Sequence, residues 1–257
     1  MNPSGMSRVS RRRRCALAGL ILCGLAAVPV AAATARAKPA ARPDWSGIWE
    51  NVSGIHFTKP TDSGPNPPPL NAEYAARYKA VTDSAAAGHP LNDPTANCVW
   101  PGTPRVIVSP YPSEYLIAPD RVTIVYEYMS QVRRVFTDGR GHPADLDPSY
   151  NGHSIGHWEG DALVVDTAGL RADTMYENTG LPHSDALTLR ERIRLIGPDT
   201  LEDEVTAIDP KAMTRPWVTK VHYKRHRDWQ ILDYVCEENN RNPVDAKGVT
   251  TVKPAGP

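Results

Sequence analysis

The sequence predicts an all-β protein whose mainly antiparallel strands form a barrel or a curved sandwich. Apolar and β-branched runs recur from residue 105 onward, and turn signals such as Thr137-Asp138-Gly139 and Gly197-Pro198-Asp199 separate them. Strands do not alternate with helices, which argues against a doubly wound or TIM-barrel fold. The 25 prolines and two phenylalanines argue against a compact helical bundle. About nine or ten strands with one apolar face therefore predict a barrel or a strongly curved sandwich.

The elements follow in order along the chain. Residues 44–50 predict a first strand, and residues 58–69, rich in proline, glycine, asparagine and serine, predict a surface loop. The one short helix, near the N-terminus of the folded body, begins after its N-cap Asn71 and stops at Gly88. The apolar runs that predict the other strands are 105–108, 115–118, 122–128, 132–137, 162–167, 187–196, 201–208, 218–225 and 231–236.

The hairpin around Gly197-Pro198-Asp199 can be given a register. Pairing Leu195 with Leu201 places arginines opposite glutamates on the solvent side, which is a stabilising arrangement. Glu191 and Asp203 then fall on the opposite, apolar face. A shift by one residue would turn both carboxylates outward, so this register is one of two or three alternatives.

The first 37 residues predict an export signal. An arginine-rich start precedes an apolar run, residues 15–30, and the segment ends in Ala35-Arg36-Ala37, which fits an A-x-A cleavage site. Ser10-Arg11-Arg12 also allows the twin-arginine route. An uncleaved anchor and a lipoprotein at Cys23 are the alternatives. We therefore expect a periplasmic or secreted protein whose residues 38–257 form a single domain without stable membrane association.

Charge and motifs exclude two classes of function. The chain carries 29 basic and 29 acidic side chains, and removing residues 1–37 takes away six arginines and leaves a net charge of −6. The remaining chain has no basic stripe interleaved with aromatic residues, which argues against nucleic-acid binding. No glycine-rich phosphate loop precedes a helix, so we expect no nucleotide cofactor.

Two cysteines, Cys98 and Cys236, remain after removal of the signal. An even pair in an exported protein predicts one disulfide, which would join the start of the folded body to its end. The alternative is two separate buried thiols.

Four of the eight histidines lie within 42 residues, namely His142, His153, His157 and His183. His153 and His157 are expected on one strand, where four residues span roughly 13 Å, too far apart to chelate one ion. We therefore predict no metal site, and a site assembled from more distant histidines remains the alternative.

Gly152-His153-Ser154-Ile155-Gly156 matches the G-x-S-x-G nucleophile elbow of α/β-hydrolases, and His183 follows it in the required order. The elbow needs a helix after the serine, whereas the turn Glu159-Gly160-Asp161 follows almost at once. The simpler explanation is that the glycines relieve crowding in a curved strand. A serine hydrolase at Ser154 is therefore only a second alternative for the function.

A set of polar side chains is expected inside the barrel, namely Glu191 and Asp203 with Arg134, Tyr126 and Tyr128 from strands that share the interior. An unpaired carboxylate on an apolar face has a raised pKa, so it can act as a general acid or base. The alternative is a buried Arg–Glu pair that serves the structure alone.

The run GHSIGHWEGDALVVDT at residues 152–167, with His183-Ser184, Asp209-Pro210-Lys211, Arg215-Pro216-Trp217 and residues 236–239, resembles a large, mostly uncharacterised family of exported bacterial β-barrel-like proteins. Gly47-Ile48-Trp49 is similar to the opening strand of lipocalin-like barrels. Those barrels include carriers of lipophilic molecules and cofactor-free phenolic acid decarboxylases that use tyrosine, arginine and glutamate. The resemblance implies a lipocalin-like barrel with such residues inside it.

Together these observations predict a cofactor-independent, decarboxylase-type lyase that acts on a small aromatic or lipophilic compound in a barrel cavity. Glu191 or His183 would move the proton, and Tyr126 would orient the substrate. Arg134 would hold its anionic group, with His153 and Arg215 as further substrate-binding residues. The first alternative is a periplasmic carrier that binds the same class of ligand unchanged.

Overall fold

The computed structural model describes residues 42–54, 57, 66–89 and 91–239, all within one compact unit, Ala40–Pro257. The predicted export signal and residues 38–41 lie outside the described residues. Within the described part of the chain, no helix is long and apolar enough to cross a bilayer.

The helix forms where the sequence predicts it. Helix α1 spans Ala72–Ala86, and the side chain of its N-cap Asn71 accepts a hydrogen bond from the Tyr74 backbone N–H at 3.0 Å. Nine strands complete the described fold: β1 Ile48–Asn51, β2 Ser113–Ile117, β3 Arg121–Tyr126, β4 Gln131–Phe136, β5 His153–Glu159, β6 Ala162–Ala168, β7 Thr188–Gly197, β8 Thr200–Ile208 and β9 Trp217–His226.

The nine strands close into a barrel in chain order, with β9 paired to β1. Strand directions cannot alternate around a closed ring of odd number, so at least one neighbouring pair must run parallel. That pair is β4 and β5, which meet at Val135 with Ser154 and at Phe136 with Ile155. The other neighbouring pairs are antiparallel. The predicted all-β barrel is confirmed, with one parallel junction in it.

Two of the predicted strands are wrong. Arg105–Val108 is a 3₁₀-helix with all four residues buried, because a four-residue apolar run fits a buried helical turn as well as a strand. Residues 231–235 form no strand, and Cys236–Asn239 is a 3₁₀-helix. Leu232 and Val235 are exposed, so the apolar run at this end does not enter the barrel wall.

The hairpin of β7 and β8 has the predicted register. Leu195 pairs with Leu201, and Arg194 pairs with Glu202, whose Oε1 accepts a hydrogen bond from Arg194 Nη2 at 2.9 Å. Glu191 is accordingly buried on the inner face of this hairpin.

Cys98 and Cys236 form the predicted disulfide, with Cα atoms 5.6 Å apart and a sequence separation of 138 residues. Close by, the Leu232 backbone N–H donates to Glu127 Oε2 at 3.0 Å. The C-terminal part of the described chain is therefore fastened both to the loop before Arg105 and to the end of β3.

Candidate functional site

The barrel interior holds a buried ion pair. Strand β4 turns Gln131, Arg133 and Val135 inward and leaves Arg134 exposed. The predicted inward position of Arg134 is therefore wrong, because side chains alternate with a period of two and an error of one residue reverses the face. Arg133 occupies the interior position, and its guanidinium group donates to both carboxylate oxygens of Glu191, at 2.8 Å for Nη1 to Oε1.

The same guanidinium group connects four neighbouring strands. Arg133 Nε on β4 donates to Ser154 Oγ on β5 at 3.1 Å, and Nη2 donates to Thr167 Oγ1 on β6 at 2.7 Å. Glu191 supplies the contact on β7. Since β4 and β5 share few backbone pairs, these side-chain bonds tie the barrel together across its parallel junction.

Asp203 and Tyr126 complete this cluster. Burial raises the pKa of Asp203 well above its ordinary value, and the charge of Glu191 raises it further, while Arg133 opposes the shift. Burial also raises the pKa of Tyr126, against the charge of Arg133. The described residues offer Asp203 Oδ1 no hydrogen-bond partner. The cluster thus contains one arginine for two carboxyl groups.

The described side chains of the cluster are closely packed. Arg133 and Asp203 are 1% exposed, Glu191 is 0% exposed, and Tyr126 is 3% exposed. Such low exposures are typical of an ordinary close-packed core. Tyr128, also expected inside, lies in the 3₁₀-turn Tyr128–Ser130 and stacks on Tyr111 with ring centroids 4.9 Å apart.

A cleft opens on the outer face of the barrel, where the parallel junction lies. Parallel neighbours need a crossover connection, and residues 137–152 form it between β4 and β5. We call this site the Arg134 cleft. It has a volume of about 300 Å³, and its lining residues are Trp100, Val132, Arg134, Phe136, Ser149, Tyr150, Asn151, Gly152, His153 and Ser154.

The structure therefore brings together Arg134 and His153, two of the predicted substrate-binding residues. The register of β4 and β5 pairs Val135 with Ser154, so Arg134 and His153 precede that pair on adjacent strands and both belong to the outer face. The ion pairs of the described residues leave Arg134 without a carboxylate partner. Because no acidic side chain among the described residues lines the cleft, the cleft presents an available positive charge beside aromatic walls.

His153 forms a hydrogen-bonded pair with His142 of the crossover, with 2.9 Å between the two Nδ1 atoms. One ring must carry the proton at Nδ1 and the other must accept it, because two bare or two protonated nitrogens would repel each other. Burial lowers the pKa of His153, and the charges of His142 and Arg140 lower it further. A neutral His153 is thus favoured, which leaves the pair able to accept one proton.

Neighbouring contacts hold His153 in place. Its ring stacks on Phe136 with centroids 5.5 Å apart, and Arg140 packs on the same phenyl ring at 4.0 Å. Gly152 enters β5 at φ +61°, and a Cβ there would lie 2.5 Å from the carbonyl oxygen of Ala168. Only glycine fits this close approach, so Gly152 fixes where His153 begins its strand.

The other sequence-predicted residues are not brought into the cleft. His183 is 3% exposed and contacts Thr174 Oγ1 through Nε2 at 2.9 Å, and burial lowers its pKa. Arg215 is exposed in the loop before β9, where it donates to the backbone oxygen of Pro216. Neither of these contacts involves the Arg134 cleft or the ion pair of Arg133 and Glu191.

Ser154 has no nucleophile-elbow geometry. Its residue is 2% exposed, and its hydroxyl is bonded to Arg133 and lies 2.9 Å from Thr167 Oγ1. The hairpin of β5 and β6 follows directly, without a helix. A Cβ on Gly156 would lie 2.8 Å from Val135 Cγ1 and 2.9 Å from the Val164 carbonyl oxygen, so relief of crowding explains this glycine.

Sequence reasoning missed the partner residues of the cleft. His142 belonged to the recognised histidine cluster, but only the crossover folds it onto His153. Trp100 and Tyr150 lie 50 residues apart in sequence and meet with ring centroids 6.2 Å apart. Among the described residues, no group of three or more histidine, cysteine and carboxylate side chains could hold a metal ion.

Compared with known proteins, the chain matches no protein-family model, and no curated protein matches it.

Proposed function

We propose that this protein is a cofactor-independent lyase of the decarboxylase type, and that it binds a small aromatic acid in the Arg134 cleft. The observation that carries the proposal is the hydrogen-bonded pair of His142 and His153 beside Arg134, which makes no ion pair with a described residue, in a cleft with aromatic walls. An acid–base pair, a cation and apolar ring surfaces are the elements that such a reaction needs.

Arg134 holds the anionic group of the substrate. Its guanidinium group offers five N–H donors and matches a carboxylate in a bidentate geometry. The partly exposed rings of Trp100 and Phe136 accept the aromatic ring of the substrate by stacking or edge contacts. Arg134 thus keeps the substrate-binding role that the sequence predicts for it, but it exerts this role on the outer face of the barrel and not in the interior.

His153 moves the proton. Loss of CO₂ from an aromatic acrylic acid replaces the carboxyl group by hydrogen, so each turnover consumes one proton at carbon. A neutral His153 takes a proton from the substrate phenol or from water and returns it to carbon, and the Nδ1 contact with His142 holds the His153 ring in position. No cofactor takes part in this proton transfer.

In this proposal, Glu191 and Tyr126 have a structural role and not a catalytic one. Both lie in the packed cluster around Arg133, so a catalytic role for either one would require the barrel to open. Export to an oxidising compartment is supported by the disulfide of Cys98 with Cys236.

The test uses the purified chain and 4-hydroxycinnamate as the probe. We expect mass spectrometry after incubation to show 4-vinylphenol and CO₂ in the presence of the wild-type protein, and not with the Arg134→Met variant. Ligand that binds and is returned intact would reject the lyase and support the periplasmic carrier. Absence of both binding and turnover would reject the proposed ligand class.

A further inference from the structure

A second pocket adjoins the Arg134 cleft. It has a volume of about 230 Å³ and shares two lining residues, Trp100 and Tyr150, with the cleft. Val99, Pro101 and Met175 add apolar surface to it. Trp100 is 43% exposed and lines both spaces.

The charges of this second pocket are already neutralised. Arg105 donates to both oxygens of Asp93, at 2.7 and 2.6 Å. Asp173, which also lines the pocket, is paired with Arg171, and Arg171 packs over the Tyr150 ring at 4.8 Å. The second pocket therefore suits a neutral, apolar group, in contrast to the cleft, where Arg134 makes no ion pair with a described residue.

His183 contacts Thr174, a residue that lines this pocket. Its Nδ1 lies 3.0 Å from the carbonyl oxygen of Ser184, a contact that requires Nδ1–H, and its Nε2 faces Thr174 Oγ1. Thr174 lines the pocket and is also bonded to the Arg171 carbonyl oxygen at 2.8 Å. His183 is thus a positioning residue for the wall of the second pocket.

From this asymmetry we infer that the ligand has two rings, an aromatic acid in the Arg134 cleft joined by a short linker to a neutral ring in the second pocket. The inference rests on the proposed function and names its ligand class more narrowly. A one-ring acid occupies only the Arg134 cleft, and the volume of this cleft is at the lower limit of ordinary ligand sites. A two-ring acid occupies both spaces.

Calorimetric titration of two matched acids tests this inference. 4-Phenoxybenzoate carries the second ring, and 4-methoxybenzoate has the same carboxylate and ether oxygen without it. We expect the wild-type protein to bind 4-phenoxybenzoate at least about tenfold more tightly, because burial of a further ring stabilises the complex. Equal affinities for the two acids would overturn the inference and leave the proposed function standing.

Two matched variants locate the second ring. Val99 and Val132 are both half-buried, and each lines only one of the two spaces. Val99→Phe fills the second pocket, so it should abolish the preference for 4-phenoxybenzoate and leave binding of 4-methoxybenzoate unchanged. Val132→Phe should weaken binding of both acids. An unchanged preference in folded Val99→Phe, checked by thermal unfolding, would overturn the inference, and failure of the wild type to bind either acid would reject the proposed function itself.

Discussion

Replacing Arg133 with methionine should lower the free energy of unfolding by about 3–5 kcal/mol, the cost of removing one partner of a buried ion pair. The change leaves the Glu191 carboxylate buried without its guanidinium partner. The carboxyl group of Asp203, the second one in the cluster, then lies beside it without a compensating positive charge. It also removes the hydrogen bonds that Arg133 makes to Ser154 and Thr167 across the parallel junction. Urea unfolding followed by tryptophan fluorescence measures the effect.

The matched control is Arg134→Met on the same strand. Arg134 is exposed and makes no ion pair among the described residues, so its loss should change the free energy of unfolding by less than about 0.5 kcal/mol. If Arg133→Met does not fold, Arg133→Lys keeps the charge but loses the bidentate geometry, and it should show a smaller loss. Equal stability of wild type, Arg133→Lys and Arg133→Met would contradict the structural role of this pair.

Replacing His153 with phenylalanine should lower kcat for 4-hydroxycinnamate by about 10²- to 10⁴-fold, the usual contribution of a positioned general acid or base. Phenylalanine keeps the stacking on Phe136 but can neither accept nor donate the proton. The control is His157→Phe on the same strand, because His157 is exposed and faces Glu159 at 3.2 Å, outside the cleft. Steady-state kinetics of both variants, with thermal unfolding to check the fold, measure the difference.

The pH dependence follows from the direction of the His153 shift. Burial, with the charges of His142 and Arg140, lowers the pKa of His153, so the ring becomes neutral at a lower pH than an ordinary histidine, whose pKa is about 6.5. The catalytically competent neutral form is lost as the pH falls through this lowered pKa. The acid limb of kcat/KM should therefore lie below about pH 6.5. A limb above that value, or equal turnover by His153→Phe and wild type, would remove His153 from the mechanism.

The barrel could be predicted from the sequence because its signal is local and repeated. Alternating apolar positions around Glu191 and Asp203, together with the charge pairs across the β7–β8 turn, determine both the register and the inner face. The apolar runs at 105–108 and 231–236 were wrongly predicted as strands, because short apolar segments carry no reliable period. Closure with a parallel pair depends on the count of strands around the ring and has no local signal.

The candidate site was only partly predictable from the sequence, because several of its contacts also have no local signal. Arg134 and His153 stood out by residue type, but β4 carries two consecutive arginines, and the pattern alone did not decide which one faces inward. Trp100 and Tyr150 line the cleft, and His142 contacts His153, only through the crossover and the loop before Arg105. Such contacts are distant in sequence, so a reading of local patterns does not find them.

We propose that the ligand binds on the outer face, beside the parallel junction, while the barrel interior is a packed structural core. A crystal structure of the protein with 4-hydroxycinnamate tests this most directly. We predict the aromatic ring against Trp100 and Phe136, with its carboxylate about 2.7–3.2 Å from the guanidinium nitrogens of Arg134. Ligand density inside the barrel, in contact with Glu191 and Tyr126, would contradict the account.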